Sequence, residues 1–141
     1  MKEKNKKVWI IVIAAVCAGV LSIVLLLSNS FIPYRIRFNS SDYETEIVDH
    51  DKVLDYAKTL HIDESEYTIP RIMLAKNKKN GHLLFIVQCG SAAKAEKFVR
   101  DNDYIFDMFE DYYSSIDVDA EVRGHFVIVG SKSMVDAALG R

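Results

Sequence analysis

Cysteine is scarce in this 141-residue chain, and so are the glycine-rich motifs of nucleotide-binding proteins. Of the two cysteines, Cys17 lies inside a long apolar run. The rest of the chain therefore has only Cys89 and cannot form an internal disulfide bond. The glycines stand singly, and no P-loop, dinucleotide-binding turn or serine nucleophile elbow is present. These absences predict a protein that is not an enzyme and has no bound cofactor.

Metal-binding patterns are missing from the sequence as well. The four histidines are His50, His61, His82 and His125. No two are four residues apart, as on metal-binding helices, and no cluster of Cys and His exists. His82 and His125 both lie on predicted strands and could face each other across the sheet. The segment 101–103 (Asp-Asn-Asp) resembles the start of a calcium loop, but the glycine and the closing glutamate of that loop are absent. We therefore predict no metal site.

Basic residues are fewer than acidic residues in the part of the chain that follows the N-terminal segment. The lysines of the N-terminal head are Lys2, Lys4, Lys6 and Lys7. Residues 31–141 carry 14 basic and 19 acidic side chains, a net charge of −5. An acidic domain is a poor electrostatic match for the phosphates of nucleic acid. The sequence therefore predicts no nucleic-acid partner.

The most prominent feature that the sequence does contain is an uncharged run of 20 residues, Val8–Leu27. A helix of that length extends about 30 Å, the thickness of the hydrocarbon core of a bilayer. Four lysines precede the run and only Arg35 and Arg37 follow it closely, so the positive-inside rule places the N-terminus in the cytoplasm. The sequence thus predicts a single-pass cell-membrane protein. Its partners would include the lipid bilayer, and its C-terminal domain would be extracytoplasmic.

Two alternatives remain open for this run. A cleaved signal peptide would end near Ser28–Ser30, although its apolar core is usually about 7–15 residues long. A lipoprotein acylated at Cys17 would need a small residue in place of Val16 and a polar sequence after the cysteine. A retained anchor accounts for the pattern better. It divides the chain into a basic head (1–7), a transmembrane helix (8–27), a linker (28–33) and a domain (34–141).

The domain at 34–141 alternates between strand and helix patterns. Alternating and continuous apolar stretches predict strands over 34–38, 67–76, 82–89 and 121–130, and Pro70 assigns the second strand to a sheet edge. Helical spacing and capping residues predict helices over 49–60, from Ser91 to about Tyr113, and over 133–139. The order β-α-β-β-α-β with a short C-terminal helix is that of a ferredoxin-like α+β fold. Its helices would cover one sheet face and leave the other partly open.

Three stretches of this domain carry a resemblance to a known group of proteins. They are Cys89-Gly90 at a strand end, 109–112 (Phe-Glu-Asp-Tyr) at the close of a long helix, and 122–129 (VRGHFVIV). The segment from Ile72 to Ala138, about half of the chain, resembles small uncharacterised extracytoplasmic domains of Gram-positive bacterial lipoproteins. The resemblance implies a bacterial envelope setting and brings no function with it.

One candidate catalytic residue lies where a predicted strand turns into a predicted helix, at Cys89-Gly90-Ser91. A thiol at a helix N-terminus can be acidified and become nucleophilic. The sequence brings no histidine to it, so a small buried side chain is the favoured interpretation. An envelope enzyme that uses Cys89 or a histidine remains the alternative function.

A second candidate site is cationic. Arg35 and Arg37 share a face of the predicted first strand, and Arg123 and His125 share a face of the predicted last strand. These strands are neighbours in a ferredoxin-like sheet, so the four residues would form one surface for an anion or a protein partner. We therefore predict a non-enzymatic interaction domain whose partner is another envelope or membrane protein. A small regulatory subunit of a larger membrane complex is a further alternative.

Overall fold

The computed structural model describes residues 2–28, 30–112 and 117–141. The chain divides into two compact units, Met1–Pro33 and Tyr34–Arg141, and the second is an α+β unit. The helices are α1 (Lys2–Ser28), α2 (Ile32–Arg37), α3 (His50–Thr59), α4 (Ala92–Asp101), α5 (Asp103–Tyr112) and α6 (Lys132–Leu139), with a 3-10 turn at Glu64–Glu66. The strands are β1 (Tyr43–Val48), β2 (Ile72–Asn77), β3 (Leu83–Gln88), β4 (Val118–Arg123) and β5 (Phe126–Ser131).

The five described strands form one sheet in the order β1-β2-β3-β5-β4, and every neighbouring pair is antiparallel. Helix α3 joins β1 to β2, which lie side by side and run in opposite directions. A ferredoxin-like fold is built from βαβ units, in which the helix joins parallel strands. The α+β class is confirmed, but the prediction of a ferredoxin-like fold was wrong.

The predicted first strand, 34–38, belongs instead to α2 and the turn after it. Pro33 stands in the first turn of this helix, where the N–H that proline lacks has no helical partner anyway. Tyr34 and Phe38 are four residues apart and both buried, and that spacing places them on one helix face. Five residues are too few for alternation to distinguish a strand from a helix.

Strand β1 lies where no strand was predicted. Its charged residues Glu44 and Glu46 interrupt the apolar pattern, and the structure exposes them at the edge of the sheet. Because β1 takes the edge, β2 is an inner strand, and Pro70 lies outside it. The edge position predicted for 67–76 was therefore wrong, and the strand predicted over 82–89 forms β3 at the centre of the sheet.

The predicted last strand, 121–130, is a hairpin. Strand β4 ends at Arg123, β5 begins at Phe126, and Gly124 between them has a φ of +58°. Glycine adopts this left-handed conformation without steric cost, which permits the tight turn. Arg123 and His125 therefore do not share the face of one strand, as had been predicted.

The two predicted internal helices form, but the second one is broken. Asp49 caps α3 by accepting a hydrogen bond from the Lys52 N–H, and Ser91 caps α4 in the predicted way. At Asn102 the helix is interrupted, and the side-chain amide donates to the Phe98 carbonyl over 2.9 Å. A side chain that bonds the backbone in this way competes with helix propagation. Tyr113, the predicted helix end, lies outside the described residues.

Helices pack on both faces of the sheet, so the predicted open face was wrong. Because side chains alternate along a strand, each strand contributes to two cores. The first core joins strands β1, β2, β3 and β5 to α3 and α4, and its buried members include Val48, Val53, Ile72, Val87, Ala95, Phe98, Val127 and Val129. The opposite face buries Met73, Leu84, Ile86, Phe126 and Ile128. Helices α2 and α6 lie on this second face.

Two contacts place α2 and α6 on the second face. The Tyr34 ring of α2 packs edge-to-face on Phe126, and Arg37 of α2 donates to the Ala138 carbonyl of α6. Helix α6 buries Met134, Val135 and Ala138. It begins at Lys132 and is capped by Ser131, two residues before the predicted start of this helix at Ser133.

The membrane-spanning helix predicted over Val8–Leu27 requires correction. Within the described residues, no helix is both long enough and apolar enough to cross a membrane. The side chains at 22–27, which would complete the predicted span, lie outside the described set. The assignments of a single-pass topology, a cell-membrane localisation and a cytoplasmic N-terminus are withdrawn with it.

Candidate functional site

Helix α1 exposes large apolar side chains on all of its sides. Its exposed large apolar residues are Val8, Trp9, Ile10, Ile11, Val12, Ile13, Val16, Val20 and Leu21. They are between 46% and 67% exposed. Successive helical residues are about 100° apart, so these nine positions surround the helix axis rather than forming one stripe. We call them the α1 apolar surface. A continuous exposed apolar surface marks a binding site, whereas single exposed apolar residues are ordinary.

The predicted cationic surface is only partly assembled, around Tyr34. Burial raises the pKa of Tyr34, and the nearby charges of Arg37 and Arg123 offset part of that rise. Arg37 also donates to the Ala138 carbonyl at the C-terminus of α6. The structure therefore brings Arg37 and Arg123 to one end of the second sheet face. It does so through α2, and not through the neighbouring strands that had been predicted.

The other two residues of the predicted surface are placed differently. His125 lies in the β4–β5 turn, and its ring packs on Phe126 with a centroid separation of 4.3 Å. Arg35 is exposed on α2, and no contact among the described residues joins it to the other three. Anion binding at this end of the sheet stays a prediction, with Arg37 and Arg123 as the two residues that both act on Tyr34.

Acidic groups neutralise part of this cationic charge. Arg123 lies 3.7 Å from Glu121, and Arg141 pairs with the same carboxylate at 3.1 Å. Arg141 also pairs with Asp136 at 3.0 Å. The result is a mixed ion network rather than an open cationic patch, and networks of this kind attract a free anion less strongly than unpaired arginines.

Cys89 does not have the environment of a nucleophile. The side chain is 2% exposed, and its backbone N–H donates to the His125 carbonyl over 2.8 Å. Burial raises the pKa of the Cys89 thiol to about 12, which the charge of Lys94 opposes only weakly. Since the thiolate is the reactive form, the geometry favours the interpretation of Cys89 as a small buried side chain.

The histidines do not converge. His82 precedes β3 and accepts from the Asn77 N–H through its carbonyl, whereas His125 contacts Cys89 at the other end of the same strand. The predicted pairing of His82 with His125 across the sheet was therefore wrong. His50 Nδ1 lies 3.1 Å from the Ile69 carbonyl oxygen. Across residues 2–28, 30–112 and 117–141, no three His, Cys, Asp or Glu side chains are close enough to share a metal ion.

A pair of residues that the sequence did not reveal lies beside Cys89. Lys94 Nζ donates to Thr68 Oγ1 over 2.7 Å. Thr68 has a φ of +51°, which is strained for a β-branched residue. A Cβ at Gly90 would lie 3.0 Å from the Thr68 Cβ, a tight contact that favours glycine at this position. No local sequence signal indicates a left-handed threonine, because nothing about Thr68 itself favours that conformation.

The calcium-like segment 101–103 is engaged in structural contacts. Asp101 accepts from the Tyr67 hydroxyl over 3.1 Å and pairs with Lys97 at 3.2 Å, while Lys97 pairs with Glu66 at 2.8 Å. Burial alone would raise the pKa of Asp101, but the hydrogen bonds from Lys97 and Tyr67 lower it. This network ties α4 to the 3-10 turn.

The comparisons with known proteins give no family for the chain. No protein-family model matches it, and neither a curated protein nor a solved structure matches it. The resemblance to lipoprotein domains therefore stays a prediction, and function has to be argued from the surfaces described above.

Proposed function

We propose that this chain is a non-enzymatic binding protein that contacts a lipid bilayer through the α1 apolar surface and presents the α+β unit as an interaction domain. The nine exposed apolar side chains of α1 are the observation that carries the proposal. Contact with lipid through these residues requires no helix that crosses the bilayer.

The distribution of the exposed apolar side chains around α1 indicates which kind of partner this helix binds. An apolar stripe would suit one partner helix, because a helix pair buries a single face of each member. A helix that is apolar on every side leaves much apolar surface exposed against one partner helix, whereas lipid chains contact whichever sides of the helix meet the bilayer. The four lysines of the N-terminal head add attraction to anionic headgroups. Together these features favour lipid over a second copy of the chain.

The apolar side chains and the lysines both contribute to the free energy of lipid binding, and the two contributions can be compared. Full burial of one large apolar side chain is worth about 1.5–3 kcal/mol, whereas a lysine near an anionic surface contributes about 1 kcal/mol. Nine apolar side chains therefore outweigh four lysines. Binding should weaken in high salt and on uncharged lipid, but it should persist in both.

The alternative of an enzyme centred on Cys89 receives no support from its geometry. The thiol is buried, its pKa is raised to about 12, and the nearest cation, Lys94, is directed to Thr68. A regulatory subunit of a larger membrane complex stays a prediction.

Vesicle flotation of the full chain tests the proposal. The protein is diluted from mild detergent into vesicles of zwitterionic lipid, with and without an anionic component, and centrifuged through a density gradient. We expect it to float with both, and more completely with anionic vesicles. An Ile11→Asp/Val16→Asp variant should stay at the bottom.

The matched control places the same charges on apolar residues that are exposed in the α+β unit. Leu54 and Tyr56 of α3 are 43% and 44% exposed, and a Leu54→Asp/Tyr56→Asp variant should float like the unaltered protein. Failure of the unaltered protein to float would contradict the proposal. Sedimentation of that protein as a defined oligomer without lipid would instead identify a second copy as the occupant of α1.

A further inference from the structure

The outer edge of β1 has backbone N–H and C=O groups that no neighbouring strand binds. Two hydrogen bonds show which residues of β1 carry these outward groups. The Lys78 N–H donates to the Asp42 carbonyl over 2.8 Å, just beyond the β1–β2 register. On the other side of β2, the Asn77 N–H donates to the His82 carbonyl over 2.9 Å. In an antiparallel pair, bonded and non-bonded positions alternate. Residues 44, 46 and 48 therefore bond to β2, and residues 43, 45 and 47 point their backbone groups outward.

Most of these outward groups are without a partner among the described residues. The Tyr43 N–H donates to the Ser40 carbonyl over 3.2 Å. The N–H and C=O groups of Thr45 and Ile47 have no such bond within the described part of the chain. Glu44, Thr45 and Glu46 are exposed, so the edge is accessible. An exposed edge of this kind is a template for an added strand.

The side chains along the edge carry negative charge with a fixed spacing. Glu44 and Glu46 lie opposite Lys76 and Leu74, on the same face of the sheet. Lys52 pairs with Glu46 at 3.3 Å, but both side chains are about 60% exposed, and such surface pairs are weak. A strand added here would place its alternate residues beside the two glutamates.

We propose that the outer edge of β1 binds an extended segment of another protein that carries basic residues at alternate positions. The segment would add a sixth strand to the sheet. Its backbone would bond to Thr45 and Ile47, and two of its basic side chains would face Glu44 and Glu46. This surface lies in the α+β unit and is separate from the lipid contact proposed for α1.

Charge disfavours the simplest other occupant, a second copy of β1. Antiparallel registers that pair Thr45 with Thr45 or with Ile47 place glutamates of the two copies opposite each other. Like charges directly opposite one another in a sheet are destabilising. A basic segment replaces this repulsion with attraction, so the acidic edge favours a basic partner over self-association.

The test uses the full chain in detergent and a labelled peptide in which lysine alternates with threonine, with fluorescence anisotropy as the binding signal. A peptide of the same composition with its lysines adjacent is the control for charge alone. We expect the alternating peptide to bind about tenfold more tightly than the adjacent-lysine control, because only alternation places the lysines on one face. Equal binding of the two peptides, or no binding, would overturn the proposal.

Two variants, each with a matched control, and a hydrogen-exchange measurement separate strand addition from general electrostatic attraction. Thr45→Pro removes one outward N–H and should weaken binding about tenfold, whereas Thr45→Ala keeps that N–H and should change it little. Glu44→Lys/Glu46→Lys should abolish binding, whereas the equally charged Asp107→Lys/Glu110→Lys on α5 should not. The amides of Thr45 and Ile47 should become protected from hydrogen exchange when peptide is added. Unchanged exchange at both amides would sink the proposal even if a peptide bound, and peptide-independent dimerisation through β1 would do the same.

Discussion

The backbone N–H of Lys78 donates to the carbonyl of Asp42 across 2.8 Å, and this bond fixes which amides of β1 face β2. It gives a prediction for the free protein. In native-state hydrogen exchange, the amides of Glu44 and Glu46 should be protected, and those of Thr45 and Ile47 should exchange at rates near those of an open chain. The reverse pattern would mean that the register of the edge strand is shifted by one residue.

The Cys89 thiol gives a pH prediction with a defined sign. Its pKa rises from 9.0 to about 12 because the folded state buries it. The folded pKa is raised, so its contribution to stability is complete below about pH 9 and is lost as the pH rises towards 12. In urea unfolding, the stability of a Cys89→Ala variant should fall less between pH 9 and 12 than that of the unaltered protein. Parallel alkaline losses in the two proteins would contradict this.

The same environment predicts slow chemical modification. In a Cys17→Ser background, Cys89 is the only thiol, and it should react with an alkylating reagent at pH 8 only as fast as the protein unfolds. Denaturant should accelerate the reaction strongly. Rapid alkylation of the native protein would revive the alternative of a catalytic cysteine.

Gly130, in β5, should tolerate substitution less well than Gly81, in the turn between β2 and β3. A Cβ there would run into the backbone carbonyl oxygen of Leu83 and come within 3.0 Å of the Leu84 Cα, in the neighbouring strand. Gly130→Ala should lower the free energy of unfolding by about 3 kcal/mol or more, since backbone cannot move aside cheaply. Gly81→Ala, with open space around it but a φ of +75°, should cost only about 1 kcal/mol. Equal costs in thermal or urea unfolding would refute this ranking.

Arg37 and Arg35 offer a matched pair on α2. Arg37 donates to the Ala138 carbonyl and lies beside Gly140, where α6 ends, whereas Arg35 is exposed. Arg37→Met should destabilise the protein by about 1.5 kcal/mol, because a charged donor to an unsatisfied helix carbonyl is lost. Arg35→Met should change stability by less than about 0.5 kcal/mol. Equal melting temperatures of the Arg37→Met and Arg35→Met variants would contradict this prediction.

The sequence was sufficient where a structure is decided locally. Asp49 and Ser91 cap helices, because capping depends on the side chain of the capping residue itself. It was insufficient where contacts with residues distant in the sequence decide the structure. The pattern of 34–38 fits a strand or a helix equally, and α2 forms because Tyr34 and Phe38 find buried positions on one side of the sheet.

The candidate sites show the same limit. Arg37 and Arg123 both lie near Tyr34, but α2 brings them there and not the predicted pairing of two strands, and a binding surface formed by these residues stays a prediction. The β1 edge was missed because alternating glutamates resemble a loop until the register with β2 is known. The strained Thr68 beside Lys94 has no sequence signal, since its φ is imposed by its surroundings.

The most direct measurement of the lipid contact uses Trp9, the only tryptophan in the chain, which lies on α1 and is 66% exposed. Its fluorescence is recorded as the full chain is added to vesicles whose acyl chains carry bromine, a contact quencher. The proposal predicts a blue shift of the emission and strong quenching, both absent in the Ile11→Asp/Val16→Asp variant. Emission that stays at the wavelength of water-exposed tryptophan and is not quenched would show that α1 does not enter lipid, and it would contradict the central claim.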